Sequence, residues 1–505
     1  MSYAPDLNEN RRFVWWLALI LLGSQAASYL GVESLYYSLA IALGGLYVVR
    51  RPMEALWVGF VLLAVTSQMY AIQLDELGTS VSGAFRPYIL VLTVIAFAML
   101  LGQDFKPGKT CKRNLSLSRN VQVRIAIFVG VMLMALVKGY FASMKTFGLL
   151  DVLRECSGWI TFLVFLFLGY RLSPSSAQVQ RAFVRLRLSV LVYSTFFLIK
   201  FLYLSESLGA DQTASGYGYS QRDMAFFCGL VLVLLLGQSL ASEAKTEWRT
   251  VWPAGLILLC AVLLSGSRSV FISALIVTLL FVLVYHSKLR LRLWLLGLAA
   301  LFVLTLGPSL SLSSQGDSEA GVVGYVTNRF LAASTEDASL LARASEMVAV
   351  AEALRENPLL GRGPLASYSF FDPFFGWKDT TFVDSGLGYL LMKSGLLGTT
   401  VFIWFAVGWL KMERGLRKTL PVLGVAPLAS FVFYLVFLPF GPSFFVFEHS
   451  WFIGLLVGQT IFLGSRFPMA SAALIPGTLV REHWPSSNGC SLNAVSPEGS
   501  IRGLA

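Results

Sequence analysis

Apolar runs of about 15 to 22 residues, separated by short polar stretches, recur from one end of the chain to the other. That is the length a helix needs to cross a hydrocarbon core about 30 Å thick. Fourteen such spans can be drawn, near residues 13–30, 33–49, 53–71, 87–103, 123–142, 157–171, 184–204, 223–240, 252–265, 269–285, 292–310, 384–410, 420–440 and 448–464. Most connections between them are short; the exceptions are 205–222 and, much larger, 311–383. The pattern predicts an all-α integral membrane protein. A bundle of about eleven spans over 1–310 would be followed by a large loop over 311–383, further spans over 384–465, and a disordered tail over 466–505. No internal repeat marks the inverted halves of a transporter.

Inside the large loop the period changes. Ser334, with Asp337 three residues on, resembles a capping box. Leu340, Ala344, Met347, Ala351 and Leu354 then recur at helical spacing, and Pro358, Gly361 and Gly363 end the pattern. This predicts an amphipathic helix leaned on the membrane or on the bundle through that stripe. The aromatic stretch "YSFFDPFFGWKDTTF" reads either as a lid dipping into the interface or as a surface for stacking sugars, with the lid preferred. The opening "RRFVWWLALILLGSQAASYL" fits a signal peptide or an uncleaved first span; the second is preferred in a chain with so many spans.

Composition agrees with the pattern: 56% of residues are hydrophobic and 13% charged, the latter about half the charged share of a soluble domain. The net charge of +11 changes the picture only through its distribution. With the N-terminus in the cytoplasm, Arg11, Arg12, Arg50, Arg51, the run from Lys106 to Arg124, Arg171, Arg181, Arg185, Arg187, Lys288, Arg290, Arg292 and Lys411 to Lys418 all fall inside. Roughly two thirds of the Lys and Arg lie there, the bias that orients membrane proteins. Both termini are therefore expected in the cytoplasm, and lipid headgroups rather than nucleic acid are the anions answered. The five cysteines are scattered, without a Cys-x-x-Cys pair. No phosphate-binding loop, no H-E-x-x-H and no Asp-x-Asp pair is present, which argues against ATP-driven transport and against metal-dependent transfer from a nucleotide sugar.

The polar outliers gather on the opposite face. Asp384 heads the twelfth span; Arg268 sits in a tight turn, "SGSRS", with Gly266 allowing the reversal; Arg222 and Asp223 begin the eighth span. Arg343 is on the loop helix, Arg355 and Arg362 flank "ENPLLG", and Arg86, Lys138, Lys145 and Arg154 lie near the same side. Arginines concentrated against the charge bias suggest a bound anion, and the planar guanidinium matches the oxygens of phosphate. Each residue also has a plainer reading. Asp384 suits a helix N-terminus, Arg268 an arginine reaching for headgroups, and Arg343 a surface pair with Glu346. Arg222 and Asp223 pair with each other, while Arg355 and Arg362 are solvated. Glu448 and His449 offer an alternative acid–base pair or merely a hydrogen-bonded end of a span.

Three segments together resemble the O-antigen ligase and Wzy-type polysaccharide polymerase superfamily: "LLSGSRSVFISALIVTLLFVL", "ARASEMVAVAEALRENPLLGRGP" and "VDSGLGYLLMKSGLLG". The likeness covers about residues 220 to 410. The ligases show His-[Asn/Ser], nine residues, Gly-x-x-Gly; here the pattern reads Asp384-Ser385, nine residues, Gly395-Leu-Leu-Gly398. The resemblance implies a glycan donor on undecaprenyl diphosphate at the periplasmic face of a bacterial inner membrane, with no metal or other cofactor. Arg268 and Arg343 would hold the diphosphate, and Asp384 would take the place of the general base. Arg222, Asp223, Arg355, Arg362, Arg86, Glu448 and His449 remain candidates for binding diphosphate or glycan. The acceptor would be a second lipid-linked glycan for a polymerase, or lipid A-core for a ligase. Asp in the histidine position leans towards polymerase. A chain-length-regulating co-polymerase is left open as a partner, and a flippase or secondary transporter is the rival outside the class. Gly395 and Gly398 are expected to serve close helix packing.

Overall fold

A computed structural model describes residues 7–30, 119–143, 157–171, 176–208, 222–241, 248–285, 338–364, 366–373, 376–380, 383–419, 421–441 and 447–466, with isolated positions between 46 and 56. The helices are α1 (Leu7–Leu30), α2 (Arg119–Ser143), α3 (Ser157–Arg171), α4 (Ser176–Leu208), α5 (Arg222–Ala241), α6 (Trp248–Leu264), α7 (Arg268–Tyr285), α8 (Ala338–Glu356), α9 (Gly386–Thr419), α10 (Pro421–Phe437) and α11 (Phe447–Arg466). Among the described residues, helices stand at ten of the expected spans. The spans near 33–49, 53–71, 87–103 and 292–310 lie largely or wholly outside them, as do Arg86, Lys145, Arg154, the Ser334–Asp337 pair and the tail. Among the described residues, Gln122–Phe141, Gln178–Ser205 and Gly386–Met412 are by length and composition long and apolar enough to cross a membrane, and six shorter apolar helices accompany them.

The core is a helix bundle whose closest contacts use small residues, as helices do where lipid supplies no hydrophobic drive between them. A Cβ on Gly169 of α3 would stand 2.6 Å from the Leu455 carbonyl of α11, and one on Gly454 would stand 2.5 Å from the Phe162 carbonyl. Trp451 stacks on Phe165 with centroids 4.4 Å apart. α5 is buried along its described side chains, Met224 to Gly237, and packs on α6, α7 and α10. α9 packs on α2, α10 and α11. At one end of the bundle, Glu9 of α1 pairs with Arg51 and, at 3.1 Å, with Arg185 of α4.

One element departs from the all-helical expectation. Part of the aromatic stretch forms an antiparallel hairpin of β1 (Tyr368–Asp372) and β2 (Gly376–Thr380), with Phe371 opposite Trp377. Its residues alternate: Tyr368, Phe370 and Asp372 turn inward, while Ser369 and Phe371 turn out. That two-residue period, rich in aromatic residues, suits a half-buried strand. The inner face rests on α8, to which the Phe371 N–H is tied through Ser345 Oγ at 3.0 Å.

α8 is helical as predicted, but it buries a different stripe. Glu346, Ala349, Val350 and Ala353 are enclosed, whereas Ala344, Met347 and Ala351 are exposed. Alanine, leucine and valine occur all round this helix, so periodicity alone does not choose a face. The buried face is the one that meets the hairpin and α9.

Candidate active site

α9 is broken in its apolar stretch. Gly395 has φ 65° and ψ −165°, a combination reserved for glycine. The break frees backbone groups that lipid cannot satisfy, and the turn following α8 supplies their partners. The N–H groups of Leu396 and Leu397 donate to the carbonyls of Pro358 (2.9 Å) and Leu359 (3.0 Å), and the Arg362 N–H donates to Met392 O (2.7 Å). Gly361 and Gly395 meet backbone to backbone; a Cβ on Gly361 would sit 2.6 Å from the Gly395 nitrogen. On its other side the turn rests on α2, where Lys138 Nζ donates to Asn357 Oδ1 (3.1 Å) and to the Gly361 carbonyl. "NPLLG" is thus the plug of a split helix.

The nine residues between Ser385 and Gly395 form the short first segment of α9, about 14 Å long at 1.5 Å per residue. Its head is anchored to several elements. Gly386 N–H donates to Gly441 O (2.9 Å) and Leu387 N–H to Leu438 O (3.1 Å), both just beyond α10. Ser385 Oγ accepts from Gly388 N–H (3.1 Å), making Ser385 the capping residue. The Asp384 N–H donates to Glu346 Oε1 of α8 (2.8 Å). These bonds satisfy donors a helix start leaves open. Because Ser385 caps the helix, the exposed Asp384 carboxylate is not engaged in that task.

Glu346 is the centre of this arrangement. It is 4% exposed, so the surface pair expected with Arg343 is replaced by a buried carboxyl. Its Oε1 also accepts from the Tyr368 hydroxyl at 2.7 Å. Burial pushes the Glu346 carboxyl up from the ordinary carboxylate range, with the Asp384 charge adding to this. The hydrogen bonds from Tyr368 and the Asp384 N–H, and the Arg343 charge, pull the other way. Burial likewise pushes up the Tyr368 phenol, helped by its bond to Glu346 and by the two acidic charges. Asp384 thus meets, through its N–H, a buried carboxyl on the same helix as Arg343. The sequence alone does not single out Glu346 or Tyr368; the available signal is a carboxylate three residues after Arg343, on a helix whose periodicity does not choose a buried face.

Arg268 opens α7 after the turn Ser265–Gly266–Ser267. Gly266 has φ 65°, its N–H donates to Leu263 O at 3.0 Å, and Phe271 N–H makes the first helical bond to Ser267 O at 3.1 Å. Arg268 is half-buried with its Nε enclosed. α7 packs on α10, the helix whose end holds the head of α9. Arg362 bonds Glu356 Oε2 at 2.5 Å and Ser367 O at 3.3 Å, and Arg355 is exposed in the last turn of α8. Arg222 and Asp223 begin α5 and Glu448 is the second residue of α11, with side chains outside the described residues. His449 is 2% exposed. Its ring stacks on Phe226 at 3.7 Å, with the edges of Phe227 and Phe437 at 5.7 and 6.0 Å. Among the described residues, no three His, Cys, Asp or Glu side chains gather as a metal site would require.

Residues 253–403 match the family model described as O-antigen ligase. The matched segment runs from α6 into α9 and takes in Arg268, Arg343, Glu346, Tyr368, Asp384 and the break at Gly395. No curated protein matches the chain. The match agrees with the likeness seen in the three sequence segments: over residues 253–403 the chain is similar to the O-antigen ligase family.

Proposed function

We propose that the protein is a polysaccharide polymerase of the bacterial inner membrane, moving a glycan from undecaprenyl diphosphate to an acceptor glycan at the periplasmic face. The observation that carries this reading is the hydrogen bond that ties Asp384 to Glu346 on the helix bearing Arg343, within the matched segment. In the reaction, the acceptor hydroxyl oxygen bonds to the anomeric carbon from the side opposite the diphosphate. The bond from that carbon to the diphosphate oxygen breaks, its electron pair leaves with the lipid diphosphate, and the hydroxyl proton passes to the Asp384 carboxylate. Charge grows on the leaving diphosphate, where Arg268 and Arg343 stabilise it. Single displacement inverts the anomeric centre. The family description favours a second reading, in which lipid A-core is the acceptor; aspartate at position 384, where the ligase pattern has histidine, supports the polymerase.

The test is the product made by purified protein from a lipid-diphosphate oligosaccharide. A ladder of longer glycans supports the polymerase. Transfer only to an added second glycolipid supports the ligase. Movement of the substrate across vesicles with no new bond identifies a carrier and overturns both.

A further inference from the structure

Resting on that reading, we infer that Glu346 is a positioning residue for Asp384, fixing the height and direction of the acid by holding its main chain. Glu346 lies within the reach of helical Arg343, yet it is buried and its Oε1 receives two donors from different elements, the Tyr368 hydroxyl at 2.7 Å and the Asp384 N–H at 2.8 Å. A buried carboxylate is costly unless hydrogen bonds compensate it, and a hydrophobic residue would fill this face of α8 as Ala349, Val350 and Ala353 do. The carboxylate instead ties the loop helix, the hairpin and the residue before the α9 cap at one oxygen atom. The hairpin is itself fixed at its near end, where buried Lys393 of the first α9 segment donates to Ala366 O at 3.0 Å. The residues around Glu346 thus form a closed circuit: α8 to Asp384, Asp384 along α9 to Lys393, Lys393 to Ala366, and Tyr368 back to Glu346. Asp384 is the exposed member of that circuit, and its main chain is held at Glu346 on one side and next to the Ser385 cap on the other. A base must sit within hydrogen-bond reach of the proton it takes, and displacement of a reacting group by about 1 Å costs about 10²-fold in rate.

The experiment compares Glu346→Gln and Glu346→Ala in purified full-length protein with a lipid-diphosphate oligosaccharide, together with thermal unfolding in the same detergent. Gln keeps a carbonyl oxygen able to accept both bonds; Ala removes it. The expected result is a fall in kcat of about 10²-fold for Glu346→Ala with donor KM little changed, and kcat for Glu346→Gln restored to within a few-fold of the parent. The same Ala substitution placed on an Asp384→Asn background should cost little more, because a residue that acts through Asp384 has nothing left to act on. Full kcat in Glu346→Ala alongside an impaired Asp384→Asn overturns this inference and leaves the proposed function standing. Full activity in Asp384→Asn makes its carboxylate structural and overturns this inference, whereas an absence of glycan transfer by the parent protein overturns the proposed function itself. A Glu346→Ala loss that persists undiminished in the Asp384→Asn background, or that only follows a lowered unfolding temperature shared by Glu346→Gln, also overturns the positioning role.

Discussion

Replacing Gly395 with alanine places a methyl group where the broken α9 meets the turn after α8. The backbone there, at φ 65° and ψ −165°, costs a residue with a side chain about 1–3 kcal/mol. The new Cβ would fall on the Gly361 nitrogen and the Leu359 carbonyl oxygen, so the turn must move, at about 1–3 kcal/mol for overpacking. Movement stretches the bonds from Leu396 and Leu397 to Pro358 and Leu359, each worth about 0.5–1.5 kcal/mol. Together the loss is about 3–9 kcal/mol, a large share of the stability of a typical domain. Gly376→Ala separates the conformational cost from the steric one. Gly376 also has positive φ, 76°, but a Cβ there meets nothing within 4 Å, so its loss is about 1–2 kcal/mol. The assay is the denaturant midpoint of both purified variants in one detergent, followed by tryptophan fluorescence and accompanied by the yield of inserted protein. If Gly395→Ala lies within about 1 kcal/mol of Gly376→Ala, the turn does not plug the helix and this account of the break is wrong.

Arg268→Ala and Arg343→Ala should each lower kcat about 10²–10³-fold while leaving the protein inserted; normal long-chain glycan from both would remove them from the reaction. Asp384→Asn should lower activity about 10²–10⁴-fold and Asp384→His much less, since imidazole can still accept a proton. Equal, near-parental rates in both would make the carboxylate structural. The raised Glu346 carboxyl gives a dependence of stability on pH with a definite sign. Between the ordinary carboxylate range and its own higher value the folded state holds a proton that the unfolded chain has released, so stability falls as pH rises through that window. The unfolding midpoint of the parent should decline across it relative to that of Glu346→Gln; parallel curves would contradict the burial-driven shift.

How much of this was readable beforehand follows from what each segment's signal depends on. Helices at ten expected spans came from apolar runs, because length and hydropathy are local properties and the bilayer fixes the length. The tight turn before Arg268 was legible for the same reason, since Gly266 between two serines allows only a close reversal. The buried face of α8 was not. Its apolar residues are distributed around the axis, and the choice is made by the hairpin and α9, which are distant in sequence. The hairpin was masked by its own aromatic residues, which suit an interfacial lid as well as a strand. Glu346 escaped as a site because an acid three residues from an arginine on a helix usually marks a solvated pair. Only the arrival of Tyr368 and Asp384 from two other elements gives it a different role.

The same geometry separates what the glycine-rich motifs do from what the charged residues do. Gly361 and Gly395 permit two backbones to touch, and the hydrogen bonds across that contact let an interrupted helix persist in an apolar bundle. The interruption stands about 14 Å along the helix from Ser385, so the fixed nine-residue spacing relates the depth of the break to the height of Asp384. Inserting one residue in the segment would keep every side-chain type yet rotate Asp384 by about 100° relative to the plugged end. Helix geometry therefore links the acid to a glycine with nine residues between it and the cap: the plug fixes one end of a short rod, and Glu346, Ser385 and the end of α10 fix the other.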